Sequence, residues 1–272
     1  MDFTRARHRR RSIDSESVMN EFLDAAIGAA REAGKLLREN FGRPLKVNVE
    51  EAHDIKIELD VRTQDLITQM ILKRFPDHAI LGEEGSAASA STEFEWVIDP
   101  IDGTVNYFYG IPHFCVSIAL RHKGEILAGV VYDPMRDELW HSERDGLAYL
   151  NRLAINVSSR SQISEAVVSV GMSKTMIEVE VGLSIFQNML THARKCRLMG
   201  SAALDLAYVA TGRFDAYIER SVNWWDIAAG TLLVNRAGGT VTVAPSAVQE
   251  GKLSVVAWNG KIDRASLTKV YP

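Results

Sequence analysis

Residues 95–114 read Glu95-Trp96-Val97-Ile98-Asp99-Pro100-Ile101-Asp102-Gly103-Thr104-Val105-Asn106-Tyr107-Phe108-Tyr109-Gly110-Ile111-Pro112-His113-Phe114. Trp96-Val97-Ile98 is an apolar run that reads as a buried strand. It ends in Asp99 and Asp102, which straddle Pro100. Proline fixes its own φ and holds the residue before it extended. Gly103 then turns the chain with φ > 0, or lets another group approach closely. Thr104 suits the N-cap of a short helix that must stop before Pro112. A strand thus delivers two carboxylates to the start of a helix. Carboxylates held together need a proton or a cation between them, and hard oxygens suit Mg²⁺, Mn²⁺ or Ca²⁺. A helix start favours an anion such as phosphate. Metal-assisted hydrolysis of a phosphate ester uses both features. Read alone, the same residues also describe a surface turn with two solvated aspartates.

Upstream, Ala79-Ile80-Leu81-Gly82-Glu83-Glu84-Gly85 is a second short apolar strand that ends in acids. Downstream, Asn223-Trp224-Trp225-Asp226-Ile227-Ala228-Ala229-Gly230 leads into a helix over Trp225 to Ala237 that closes at Gly238-Gly239, and Asp226 at its opening can cap it or reach outward to a cation. Between and around these segments the pattern divides in two. Ser17 caps an amphipathic helix reaching about Asn40. Ile55, Ile57 and Leu59 alternate with polar residues as an extended segment. Asp60 stands at the start of a second helix, as an N-cap, and Pro76 ends that helix. Ser86-Ala87-Ala88-Ser89-Ala90-Ser91 reads as a mobile loop. Short strands with tight turns from Cys115 to Leu150 form an antiparallel meander. From about Val157, strands and helices alternate as in an α/β unit. The expected organisation is a basic disordered tail over 1–16, an N-terminal α+β half over 17–156 and a C-terminal α/β half over 157–272, the halves forming one catalytic unit.

Composition narrows the class. The chain has 272 residues, 46% hydrophobic and 24% charged, long enough to bury a core unaided. A net charge of −4 gives no reason to expect nucleic acid. Cys115 and Cys196 form no metal-spaced motif and read as reduced core thiols. No apolar run is long enough for a membrane span, and the basic start is not followed by a signal-type apolar segment. The expected setting is the cytoplasm.

Taken together, the Glu-Glu pair at 83–84, Asp99-Pro100-Ile101-Asp102-Gly103-Thr104, and Trp225-Asp226 with a following Gly-Gly resemble the inositol monophosphatase family in both content and order. The resemblance covers about Ser17 to the C-terminus. It implies a layered αβαβα sandwich with the site in the cleft between the halves. It implies a metal set of Glu83, Asp99, Asp102, Asp226 and the backbone carbonyl of Ile101, with Glu84 beside it. Two or three Mg²⁺ are expected there, with Mn²⁺ as an alternative ion and Li⁺ as an inhibitor. Catalytic roles fall on Thr104, which orients the attacking water, and on Asp60 or Glu83, which takes its proton. Gly103 and Thr104 bind the phosphate; Gly200, Ser201, Ala202 and Glu219 contact the alcohol half. His53, His113 and His141 are spare in that scheme.

Three departures stand out. Ile57 replaces a usual Thr, Gly85 replaces the usual Ser after the acid pair, and Ser201 stands where related histidinol-phosphate phosphatases tend to carry Asp. The last favours a polyol phosphate. The implied function is a Mg²⁺-dependent phosphomonoesterase acting on inositol monophosphate or a similar polyol or sugar phosphate. Alternatives are a fructose-1,6-bisphosphatase, a histidinol-phosphate phosphatase, a broad sugar phosphatase, or a regulatory protein that keeps the fold and binds a partner. The family also implies a homodimer and a small-molecule phosphate ester as ligand, with no membrane association.

Overall fold

The computed structural model describes residues 3–51, 54–87, 93–172 and 176–268. Helix α1 (Phe3–Asn40) starts well before Ser17. No glycine or proline interrupts the chain before Gly28, and Arg and Ala are good helix formers. Its face of Phe22, Ala26, Ala29, Ala33 and Leu37 is buried. A hairpin, β1 (Val47–Glu51) and β2 (Asp54–Ile57), leads into α2 (Glu58–Arg74). Next come β3 (Ala79–Gly82), β4 (Gly85–Ala87), β5 (Phe94–Asp102) and the short α3 (Thr104–Phe108). The meander follows as β6 (Cys115–His122), β7 (Glu125–Asp133), β8 (Glu138–Glu143), β9 (Tyr149–Leu150) and β10 (Leu153–Ala154). The second half holds β11 (Val167–Val170), α4 (Met176–His192), β12 (Lys195–Arg197), α5 (Ala202–Ala210), β13 (Ala216–Val222), α6 (Trp224–Arg236), β14 (Thr240–Pro245), β15 (Leu253–Trp258) and α7 (Arg264–Thr268).

The strands form two large sheets. The first runs β10-β9-β8-β7-β6-β5-β3-β4, and β3 with β5 is its one parallel pair. The second runs β12-β11-β13-β15-β14, parallel on one side and antiparallel on the other. Helices α1 and α2 cover one face of the first sheet, and α5 and α6 lie between the two sheets. Helix α4 packs on the outer face of the second sheet. The result is a five-layer αβαβα sandwich, the α+β architecture expected. One local expectation changes. Gly85, Ser86 and Ala87 form strand β4 instead of opening a loop, because they pair with Gly82, Leu81 and Ile80. The rest of that expected loop, like His53, lies outside the described residues.

The middle layer tolerates little. A Cβ on Gly230 of α6 would lie 2.5 Å from the Cβ of Leu206 on α5, and Leu206 is fully buried. Gly230→Ala is therefore expected to cost about 1–3 kcal/mol through overpacking, although alanine favours helix. Urea denaturation measures this, and an unchanged midpoint contradicts the tight α5–α6 contact.

Candidate active site

Strands β3 and β5 run parallel and end side by side. Ligand sites in open sheets lie beyond the carboxyl ends of such strands. Glu83 follows β3, and its N–H donates to the Ile98 carbonyl at 3.2 Å. Asp99, Ile101 and Asp102 are the last turn of β5, all buried. Register slips between Asp99 and Asp102 in the pairing with β6. Gly103 then takes φ 98°. A Cβ there would stand 3.0 Å from the His113 carbonyl and 3.2 Å from that of Gly200, so conformation and space both require glycine.

Three helix starts meet these acids: those of α3, α5 and α6. A cavity of about 540 Å³ opens among them. Its wall includes Glu83, Asp99, Ile101, Asp102, Gly103, Thr104, Gly200, Ser201, Ala202, Glu219 and Asp226. Of the residues given a catalytic, substrate-binding or metal-ligating role from sequence, Asp60 is the one absent from the wall. It approaches the wall at Thr104, whose hydroxyl donates to the Ile101 carbonyl at 2.9 Å and lies 3.5 Å from Asp60 Oδ1, the alternative acceptor for its one proton. The Ile101 side chain stays in the core.

Capping differs from the sequence expectation at three residues, for one reason. Gly103, Ile57 and Asn223 occupy the N-cap positions, and Thr104 is already helical. Asp60 and Asp226 each sit one turn inside their helices and reach back to the start. Asp60 Oδ2 accepts the N–H of Ile57, and Asp226 Oδ2 accepts that of Asn223, both at 2.8 Å. Asp99 Oδ1 accepts the N–H of Ile101 at 3.0 Å. At Asp99 and Asp226 one carboxylate oxygen fixes the backbone and the other is left to the site, whereas the second oxygen of Asp60 faces the Thr104 hydroxyl.

Asp102 is bound differently. It accepts the Ser201 hydroxyl at 2.7 Å and the Ala203 N–H at 2.6 Å on Oδ2, and the Ala202 N–H at 3.3 Å on Oδ1. The start of α5 therefore grips an acid from the other sheet, where the helix dipole favours negative charge. Ser201 and Ala202, expected to meet the alcohol half, here also hold Asp102.

Burial dominates the electrostatics. It pushes Asp99 well above the usual carboxylate range, helped by Glu83, Asp102, Asp226 and Asp60. Burial likewise raises Asp226, with Asp102 and Glu83 adding to the effect. Burial raises Asp60 to about 8, although the Ile57 N–H opposes it. Asp102 rises only to about 6, because Ser201, Ala203 and Ala202 stabilise its anion against burial. Crowded acids that raise one another are short of positive charge, and their oxygens are the hard donors that a divalent cation takes. Among the described residues, no three acid, histidine or cysteine side chains already close into an ion cage. The wall shared by Glu83, Asp99, Asp102 and Asp226 is nevertheless the stronger indication. Asp99, Asp102 and Asp226 are each held by backbone N–H groups, which fixes their carboxylates at the wall. The donor set fits a hard divalent ion.

Several supporting residues were not evident from the sequence. Gln64 of α2 accepts the Glu84 N–H at 2.9 Å and donates to the Gly85 carbonyl at 3.0 Å, which shapes the turn carrying Glu83. Glu84 is occupied by Lys56 at 2.9 Å. Asn106 donates to the carbonyls of His113 and Met199, both at 2.9 Å, and so ties α3 to the loop before α5. Tyr217 donates its hydroxyl to Glu219. Only Asn106 lies within a motif that could have drawn attention to it. His113 is buried against Tyr208, and His141 stacks on Tyr149; neither lines the cavity.

Comparison with known proteins agrees with this geometry. The model of the inositol monophosphatase family matches residues 18–267. The chain is 38% identical to the Nus factor SuhB of Pseudomonas aeruginosa over 265 residues, covering 93% of this chain and 97% of that one. It is 38% identical to the inositol-1-monophosphatase of Rhizobium meliloti over 233 residues, covering 82% and 85%. The structure of inositol monophosphatase from Anabaena superposes with a TM-score of 0.80 at 35% identity, over 94% of this chain and 98% of that one. Acids that meet in space in the order the motifs predict, on a chain matched almost end to end, belong to one lineage: this protein is a member of the inositol monophosphatase family.

Proposed function

We propose that the protein hydrolyses inositol monophosphate or a similar polyol or sugar phosphate with Mg²⁺ at the Glu83, Asp99, Asp102 and Asp226 cavity. The reaction class, hydrolysis of a phosphate monoester, comes with the family; the polyol and the ion are the inference. One observation carries it: acids from three separate segments line one cavity with helix starts. Mg²⁺ held by these four carboxylates and the Ile101 carbonyl would polarise the phosphate and acidify a water. The chain's own residues do the rest. The Thr104 hydroxyl, placed between the Ile101 carbonyl and Asp60, holds the attacking water and passes its proton to Asp60. The first amides of α3, at Gly103 and Thr104, bind phosphate oxygens. Glu219, held by the Tyr217 hydroxyl, accepts a hydroxyl of the alcohol half together with the Gly200–Ala202 segment.

A panel of inositol 1-phosphate, fructose 1,6-bisphosphate, histidinol phosphate and 3′-phosphoadenosine 5′-phosphate tests the reading by phosphate release. Inositol 1-phosphate is expected among the better substrates, and only with Mg²⁺. Its absence from that group contradicts the polyol assignment, and release in a chelator contradicts the ion. A second reading, a partner-binding regulator, is motivated by the Nus factor name of the Pseudomonas relative. It predicts that Asp99→Asn leaves the biological role intact.

A further inference from the structure

The loop between β14 and β15 reaches the mouth of the cavity with Gln249 and Lys252. Its shape is set by its own hydrogen bonds. Ser246 donates its hydroxyl to the Arg220 carbonyl at 2.6 Å and accepts the N–H groups of Val248 and Gln249 at 3.1 and 3.2 Å. The Ser246 N–H closes the loop on the Lys252 carbonyl at 2.9 Å. The Ser221 hydroxyl, on β13, holds the Gln249 side-chain oxygen at 3.1 Å. The two side chains are therefore placed in advance, and preorganised groups bind without an ordering cost.

Lys252 is the one cationic side chain among the described residues of the cavity wall. A lysine present only to neutralise the acids would pair with one of them. Lys252 instead donates to the neutral side-chain oxygen of Asn223, at the start of α6, and makes no ion pair among the described residues. An ammonium carries three donors, so two remain for a ligand. The charge faces a cavity whose acids the proposed ions already occupy.

We infer that Lys252, with the Gln249 amide beside it, forms a second anion subsite that selects phosphate esters whose alcohol half carries a further phosphate or carboxylate. This rests on the proposed phosphatase reading and narrows its substrate class. Neither residue belongs to the motifs behind the family resemblance.

Fructose 1,6-bisphosphate and fructose 1-phosphate differ only in the second phosphate and serve as probes. Their KM values with Mg²⁺ and their affinities by titration calorimetry are compared in the wild type, Lys252→Gln and Lys252→Arg. The wild type is expected to favour the bisphosphate. Lys252→Gln reduces that preference about tenfold, the scale of one charge-assisted contact, through KM rather than kcat. Lys252→Arg restores most of it. An unchanged preference in Lys252→Gln, or an equal loss on both esters, overturns the subsite and leaves Lys252 as a charge balance. If neither ester is hydrolysed, the calorimetric preference still decides the subsite, while phosphate release from inositol 1-phosphate decides the phosphatase reading.

Discussion

Asp99→Asn is expected to lower phosphate release by about a thousandfold or more while the protein melts no lower than the wild type. The loss follows from removing one carboxylate of the proposed ion site, where electrostatic stabilisation of the reacting phosphate supplies several kcal/mol, and each 1.36 kcal/mol is a factor of ten. The retained fold follows from geometry. Asparagine has nearly the same shape, and its oxygen still accepts the Ile101 N–H that Asp99 accepts now. It also removes one of the crowded acids, whose charges burial and Glu83, Asp102, Asp226 and Asp60 all oppose. The sign of the pH dependence follows. A carboxyl raised in the fold binds a proton that the unfolded chain has lost above about 4. The folded state then holds more protons, and its stability falls as pH rises. In a chelator, the variant should therefore gain on the wild type as pH increases above about 4. Thermal melting over a pH series checks this, and a variant that melts lower yet keeps turnover contradicts both arguments.

Asp60→Asn should expose the same tension between stability and chemistry at a different residue. Asp60 is raised to about 8 by burial against the opposing Ile57 N–H, and asparagine preserves the acceptor for that N–H. Between about pH 4 and pH 8 the folded wild type keeps a proton here that the unfolded chain has released, so this contribution to stability is lost across that window. The variant lacks it. Its melting temperature relative to the wild type in a chelator should rise from pH 4 to pH 8 and level off above. Hydrolysis should fall by about 10² to 10⁴, the usual scale for losing a general base, because Thr104 then has no acid to receive its proton. A flat melting difference contradicts the burial argument, and unchanged turnover contradicts the proton path.

How far the site was legible depended on sequence separation. Asp99, Asp102 and Gly103 are neighbours, and their strand-turn-helix reading needed only the local rules for Pro and Gly. The helix starts at Asp60 and Asp226 were legible to within a turn. Local propensity could not tell an N-cap from a residue one turn inside that reaches back, since both satisfy the same amide. Gln64, Asn106 and Lys252 had no role legible in the sequence, although Asn106 lies within the motif at 95–114. Their partners lie 20 to 21, 93 and 29 residues away, and no periodicity records such contacts. The start of helix α1 at Phe3 rather than Ser17 was not legible, because nothing in the preceding run of arginines stops a helix.

The sequence by itself determined the cast and much of the local geometry: which acids follow which strands, where helices begin, and the single position that only glycine can hold. Those features depend on steric and hydrogen-bond rules within a few residues. The tertiary structure alone decided that Glu83, Asp99, Asp102 and Asp226 share one wall. It also decided that Ser201, 99 residues from Asp102, holds that carboxylate. The physical reason is the middle layer. Burying α5 and α6 between two sheets brings their starts to the ends of β3 and β5, and only that packing turns separated acids into one electrostatic site.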